Sequence, residues 1–324
     1  MVKLASAEMA EKKLATRAAF GATLAELAEE GVPVVAVDAD LTGSTTTKKF
    51  AAAASENADK LFNCGIAEQN MIDVAAGLAL TGHVAYTGSF AVFGTGRAYD
   101  QIRNTVCYSN LDVKICPTHA GVSVGPDGGS HQMLEDVSLM RGLPNMRVLV
   151  PADYAAARAA IKLAAKTPGP VYVRMGRAAV PCVYDDDVEL ELGRAYVLRE
   201  GTDATVVACG VEIREALAAA DALAEEGISI EVIDAFSVKP LDEDTITASV
   251  AKTGCCVVAE EHSVHGGLGS AVAECLARKN PAPCEFVGVQ DRFGKSGEFE
   301  ELLGYFNLDA AAIVEAVKRA QGRK

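Results

Sequence analysis

Hydrophobic positions alternate along this chain between two patterns. Residues 7–30 are rich in Ala, Leu and Glu and predict one long helix, which Gly31 stops. Residues 32–37 form an apolar run, the pattern of a strand buried on both faces. It gives way to Asp38-Ala39-Asp40-Leu41-Thr42-Gly43-Ser44, a polar loop at the carboxyl end of a strand. Open α/β sheets bind ligands at that edge. A helix is predicted from about Gln69, with Met71, Val74, Ala75 and Leu78 on one face. Further strands are predicted at 83–86, 113–116, 147–150 and 171–175. Helices are predicted at 96–108, from about Leu134, and at 153–166, and a glycine-rich loop lies at 121–129. This rhythm predicts an α/β fold with a mainly parallel sheet and helices on both faces.

The rhythm breaks at about 178–196, where Val183-Tyr184-Asp185-Asp186-Asp187 reads as an acidic linker. A second α/β unit follows, with strands predicted at 204–209, 229–233, 255–259 and 285–289. Its helices are predicted at 212–226, 268–278 and 309–320. The chain length of 324 residues also favours two domains, here 1–182 and 183–324. No internal repeat or low-complexity tract interrupts them.

Charge and cysteine narrow the function classes. A net charge of −14 argues against nucleic acid and against anionic membranes as partners. The nine cysteines include no CxxC pair, and several lie in apolar strands, so they read as small buried hydrophobes in a reducing compartment. Residues 1–17 lack an apolar core, so no signal peptide or membrane span is expected, and the cytoplasm is the expected location.

Chemistry can be placed at several predicted strand ends. Glu68, in Asn63-Cys64-Gly65-Ile66-Ala67-Glu68-Gln69-Asn70-Met71, falls in the first turn of a helix beside apolar neighbours. Such a carboxylate is a candidate for proton exchange, although first-turn acids are also common as plain helix starters. His119 follows a strand end, and His131 closes the glycine-rich loop, which also carries Asp127. The two histidines and Asp127 are either a polar cluster at the sheet edge or separate turn caps. Their spacing fits no standard metal site, and no metal ligands are assigned. Phe90 and Phe93 form either ordinary core or a flat wall for a planar ring. Arg177, in Val173-Arg174-Met175-Gly176-Arg177, has the donor fork to grip a phosphate, or serves a surface ion pair. Gly266-Gly267-Leu268-Gly269-Ser270 faintly resembles a dinucleotide turn, but Glu260-Glu261-His262 just before it suits no pyrophosphate.

Together these segments resemble the transketolase family of thiamine diphosphate enzymes, and most closely the C-terminal subunit of a split transketolase. The resemblance covers nearly the whole chain and implies a pyrimidine-binding domain followed by a transketolase C-terminal domain. Gly65-Ile66-Ala67-Glu68-Gln69 matches the motif of the family's catalytic glutamate, which implies Glu68 at N1′ of the aminopyrimidine with Ile66 beside the cofactor. Phe90 and Phe93 match the pocket aromatics, and Asp40 an aspartate near the cofactor. His119, Asp127 and His131 match residues lining the sugar channel, the two histidines with catalytic roles. Arg17, Ser44, His119 and Arg177 match the group that holds the substrate phosphate.

The resemblance also implies a partner. The family binds diphosphate and a divalent metal, Mg or Ca, through Gly-Asp-Gly and a downstream Asn. No Gly-Asp-Gly occurs in this sequence; Pro126-Asp127-Gly128 is the nearest string. An N-terminal transketolase subunit carrying that motif is therefore expected, in an α2β2 assembly within which this chain self-dimerises. The implied reaction moves a two-carbon ketol unit between sugar phosphates, as in the pentose phosphate pathway. Two departures stand out. Asn70 replaces a usual His, and Gly96-Arg97-Ala98-Tyr99-Asp100-Gln101 looks more like the deoxyxylulose-phosphate synthase branch. Such a synthase, or a non-catalytic assembly subunit, is the alternative.

Overall fold

The computed structural model describes residues 2–324 and contains two mainly parallel sheets. The first has the strand order Ser237–Lys239, Arg147–Leu149, Val171–Val173, Val113–Ile115, Val84–Gly88, Val34–Asp38, Leu61–Asn63. All neighbours run parallel except Ser237–Lys239, an antiparallel edge. The second has the order Cys284–Val289, Cys256–Ser263, Ala204–Ala208, Ile230–Asp234, Tyr196–Arg199, with only the last antiparallel. The mixed α/β architecture expected from the alternation is present.

The apolar run at 32–37 shows why. Every residue of Val34–Asp38 is buried. Val34 and Ala36 join one hydrophobic cluster, while Val35 and Val37 join the other. A strand covered by helices on both faces has no polar side to show. The helix Glu68–Leu80 departs slightly from its expected face: Met71, Ile72, Ala75 and Ala76 are buried, with Val74 and Leu78 only partly so.

The single helix expected over 7–30 does not form. It is replaced by Ala7–Ala10, the strand Lys13–Ala15 and the helix Ala18–Glu29. Lys13–Ala15 pairs antiparallel with Ala179–Pro181. Thr16 helps fix the break, because its Oγ1 accepts a hydrogen bond from Gly176 N at 2.7 Å. Burial of Phe20, Leu24 and Leu27 on the remaining helix then holds this region down, at about 1.5–3 kcal/mol for each such side chain. The functional consequence is that Arg17 is brought to the end of the strand that leads to Arg177.

The helix expected at 96–108 is also irregular. Two π-helical stretches, Val92–Arg97 and Ile102–Cys107, flank the short helix Tyr99–Gln101. The sequence reading missed the helices Glu243–Thr253 and Phe299–Phe306 and the edge strands Leu61–Asn63, Tyr196–Arg199 and Ser237–Lys239.

The acidic linker is anchored. Asp153 caps the helix Tyr154–Lys166 through Ala156 N at 2.8 Å and also accepts from Tyr184 N at 2.8 Å. Tyr184 is fully buried, and its hydroxyl donates to Asp234 at 2.6 Å. Ser237–Lys239 further stitches the later part of the chain to the first sheet. Among the described residues, no helix is long and apolar enough to cross a membrane, and no cluster of three His, Cys, Asp or Glu is arranged for a metal ion.

Candidate functional site

The loop after strand Leu61–Asn63 builds the first part of the site. Asn63 Oδ1 accepts from Gly65 N at 2.9 Å and from Asp40 N at 3.1 Å, which ties two strand-end loops together. Gly65 has a φ of 69°, a left-handed turn that glycine adopts freely. The turn leaves Ile66 79% exposed and sends Glu68 inward, where it is 2% exposed. Ala67 offers no side-chain cap, and Glu68 does not cap its own helix either. Its carboxylate instead accepts from Arg97 Nη1 at 2.9 Å. The Arg97 side chain is half-exposed, and its guanidinium lies 4.7 Å over the Phe93 ring. Arg97 is supplied by the π-helical stretch Val92–Arg97; wide helical turns of this kind are frequent at functional sites.

The next layer is aromatic. Phe90 and Phe93 stack with centroids 6.2 Å apart and planes 16° from parallel. His119 stacks on Phe90 at 3.8 Å, and His131 meets Phe93 edge-on at 5.4 Å. His119 is 2% exposed and has a φ of 60°, uncommon for a non-glycine residue. Its Nδ1 pairs with Thr118 Oγ1 at 2.8 Å. Burial, then the positive charges of Arg17, Arg177 and His131, pull its pKa down to about 3. His119 is therefore a neutral imidazole at ordinary pH.

Cations and the glycine-rich loop close the site. Arg17 donates to the Ser44 backbone carbonyl at 2.9 Å, and Arg177 donates to Val124 O at 2.8 Å within the loop. Burial lowers the Arg17 pKa, repulsion from Arg177 adds to this, and Asp127 opposes it. The structure thus brings Arg17, Ser44, His119, His131, Asp127 and Arg177 to one edge of the first sheet. Asp40 stands on the rim, exposed, with a φ of 64° and its carboxylate bonded to Asn63 Nδ2 at 3.2 Å. The buried aspartate of that loop is its neighbour Asp38, held by Thr45 at 2.7 Å and Thr47 at 2.9 Å.

The faint dinucleotide turn of the second unit is already occupied. Glu260 accepts from Leu268 N and Gly269 N, both at 2.8 Å, at the start of the helix Leu268–Lys279. An internal carboxylate stands where an external anion would bind.

Two family models divide the chain. The model described as "Transketolase, pyrimidine binding domain" matches residues 12–183, and "Transketolase, C-terminal domain" matches residues 193–313. The chain belongs to the transketolase family. It is similar over 304 residues, at 44% identity, to a Methanocaldococcus jannaschii protein named for a transketolase C-terminal section, covering 93% of this chain and 94% of that one. A Clostridium protein named as a 6-deoxy-6-sulfo-D-fructose transketolase subunit is 42% identical, covering 93% of this chain and 92% of its own length. A solved split-gene transketolase, described as an inactive beta4 tetramer, superposes with a TM-score of 0.87 at 48% identity. That match covers 96% of this chain and 99% of the solved one. This transketolase-family chain is thus of the type found as the C-terminal subunit of split transketolases.

Arg97 is the site residue that sequence reasoning missed as a contact of Glu68. It lies 29 positions further along, and only its place in Gly96-Arg97-Ala98-Tyr99-Asp100-Gln101 marked it out. Gln132, which packs on the glycine-rich loop, carries no local signal, and Glu261 stood out only as part of Glu260-Glu261-His262, with nothing to mark its contact with that loop.

Proposed function

We propose that this chain supplies the pyrimidine side of a two-chain, thiamine-diphosphate-dependent transketolase that moves a ketol unit from a ketose phosphate to an aldose phosphate. One observation carries this reading: the buried Glu68 carboxylate and the Phe90–Phe93 wall adjoin the Arg17–Arg177 cations, with His119 stacked between the two regions. The residues fit an aminopyrimidine. The planar guanidinium of Arg97 already combines a hydrogen bond to Glu68 with a place over Phe93, the two contacts a flat nitrogen heterocycle would ask for.

When bound, thiamine diphosphate supplies the carbon nucleophile that protein side chains lack. Glu68 holds and exchanges the proton at N1′ of its aminopyrimidine. Phe90, Phe93 and the exposed Ile66 shield the ring from water, and Asp40 marks the rim of the same subsite. Arg17, Arg177 and the Ser44 segment grip the substrate's phosphate. Neutral His119 bonds a sugar hydroxyl, His131 exchanges a hydroxyl proton, and Asp127 reads a hydroxyl's configuration. The diphosphate and its divalent metal fall to a separate N-terminal subunit with the Gly-Asp-Gly and Asn motif, in an α2β2 complex. Two things support this: no Gly-Asp-Gly occurs in this sequence, and the solved split-gene transketolase at 48% identity, 99% of which this chain covers, is described as an inactive beta4 tetramer.

The test is to purify the chain with and without the partner and assay xylulose 5-phosphate as donor. Activity only in the mixture is expected. Ready turnover by this chain alone would end the half-site reading. A synthase joining pyruvate to glyceraldehyde phosphate is the second reading, favoured by the segment at 96–101, and pyruvate belongs in the donor panel for that reason. So does a sulfonated ketose, given the Clostridium relative's name, since a guanidinium pair binds sulfonate as well as phosphate. Unchanged turnover in Glu68→Gln would favour a non-catalytic subunit instead.

A further inference from the structure

We propose that the C-terminal domain sets the position of the glycine-rich loop carrying Asp127 and His131, and that Gln132 is the joint through which it does so. Gln132 is a positioning residue in this scheme. It has that role in catalysis only if the loop lines the substrate channel, as read above.

Gln132 is 4% exposed and follows His131 directly. Its amide nitrogen donates toward Val122 O at 3.1 Å and Gly125 O at 3.3 Å, both in the loop. The same nitrogen reaches Lys295 O at 2.9 Å, and its oxygen accepts from Lys295 N at 2.7 Å. One side chain therefore satisfies backbone groups of two segments that lie more than a hundred residues apart. The approach is too close for side chains to intervene. A Cβ on Gly129 would lie 2.7 Å from Gly294 O, and a Cβ on Gly294 would lie 1.9 Å from Gln132 Oε1.

The other end of the loop is held from the same domain. Glu261 accepts from Ser123 N, and a Cβ on Gly121 would overlap its carboxylate at 2.2 Å. Arg174 fixes Glu261 in turn: it donates to Glu261 O at 2.9 Å while bonded to Asp136 at 2.7 Å. Asp136 opens the helix that follows the loop. The loop thus has no anchor-free end, and the peptide joining His131 to Gln132 is fixed by the second domain. A buried amide bonded at both its nitrogen and its oxygen is costly to replace, which makes the joint specific.

The experiment uses the assembled two-chain complex. Gln132→Met keeps the volume and removes every hydrogen bond of the joint; Gly294→Ala drives a methyl group into the same amide from the other domain. In each variant, amide exchange of residues 121–132 should accelerate about tenfold or more, while the central strands keep their protection. The KM for the ketose phosphate should rise about tenfold and kcat should fall as well, because the loop carries His131, with thiamine diphosphate affinity within about twofold. The double variant should be little worse than either single one, because both break the same joint. Should Gln132→Met fail to fold, Gly294→Ala carries the test without altering a hydrogen-bonding group. Unchanged exchange in 121–132, or a loosened loop with unchanged KM, overturns the proposal. If the parent complex turns over no ketose phosphate, the functional reading fails separately, and the exchange data still decide whether the domains are coupled through Gln132.

Discussion

Two glutamates stand at two helix starts, one in each half of the molecule. Glu260 turns its carboxylate onto the backbone N–H groups of Leu268 and Gly269, and both oxygens are used at 2.8 Å. Glu68 heads its own helix but faces away from it, and its partner is one half-exposed arginine. Both are buried, at 3% and 2% exposure, so burial does not separate them. What separates them is whether the partner can leave. Backbone donors of a packed helix cannot; Arg97 can rotate into solvent. The first carboxylate is consumed by the fold, while the second has a partner that another group could replace.

The largest break in this contrast comes from removing the exchangeable proton while keeping the shape. Glu68→Gln should lower ketol transfer by the assembled enzyme about 10²–10⁴-fold, the usual loss for a general acid–base group. Its effect on stability should stay under about 1 kcal/mol, since the Arg97 pair is half in water. Paired activity and urea-unfolding measurements check both halves. Glu260→Ala should do the reverse. It leaves two buried N–H groups unpaired, costing about 1–3 kcal/mol of stability, with cofactor affinity unchanged. A large catalytic loss without destabilisation in Glu260→Ala would erase the distinction.

Arg97→Ala sharpens the same point at lower cost. Freed of its ion pair and of the cation over Phe93, the subsite of the isolated chain should bind thiamine about fivefold more tightly, roughly the sum of two contacts near 0.5 kcal/mol each. Calorimetric titration of parent and variant with thiamine measures this. Weaker binding by Arg97→Ala would mean that the arginine belongs to the cofactor site as a ligand and not as a removable stand-in.

What was legible in the sequence follows the same division. The strand at 32–37 could be read because a doubly covered strand must be apolar throughout, and the structure buries all of Val34–Asp38. The break in the 7–30 helix could not, because it depends on Thr16 meeting Gly176 across 160 positions. Edge strands such as Ser237–Lys239 are short and half polar, so they leave little periodic trace. At the site, Glu68, Phe90, Phe93, His119 and His131 stood out through residue type, and the structure brings them together. Their partners did not stand out: Arg97 for Glu68, Asp38 in place of Asp40 as the buried acid of its loop, Gln132 under His131. Arg97 and Gln132 are defined by contacts between distant segments, which no local pattern records, and Asp38 by hydroxyls of Thr45 and Thr47 that only the folded loop turns toward it.

The smallest expected effect extends the comparison from glutamates to histidines. His262 at the second edge is saturated: Nδ1 reaches Ser263 O at 2.7 Å and Nε2 accepts from Ser138 N at 3.3 Å. Among the described residues, His119 at the first edge has a partner at Nδ1 only, Thr118. Burial and the nearby arginines keep His119 neutral down to about pH 3 in the folded chain, against about 6.5 unfolded. The sign follows from the lowered pKa. Above about 6.5 both states are neutral and the full stability is present. As pH falls below that value, the unfolded chain takes up a proton that the folded chain refuses, and stability drops. Between pH 7 and pH 6 the loss should be about 0.7 kcal/mol from this residue alone. Urea midpoints of the parent and His119→Asn at both pH values isolate it, since other groups titrate alike in the two proteins. An equal pH response in parent and variant would mean that His119 accepts a proton in place, and the neutral hydrogen-bonding role given to it would have to be exchanged for an acidic one.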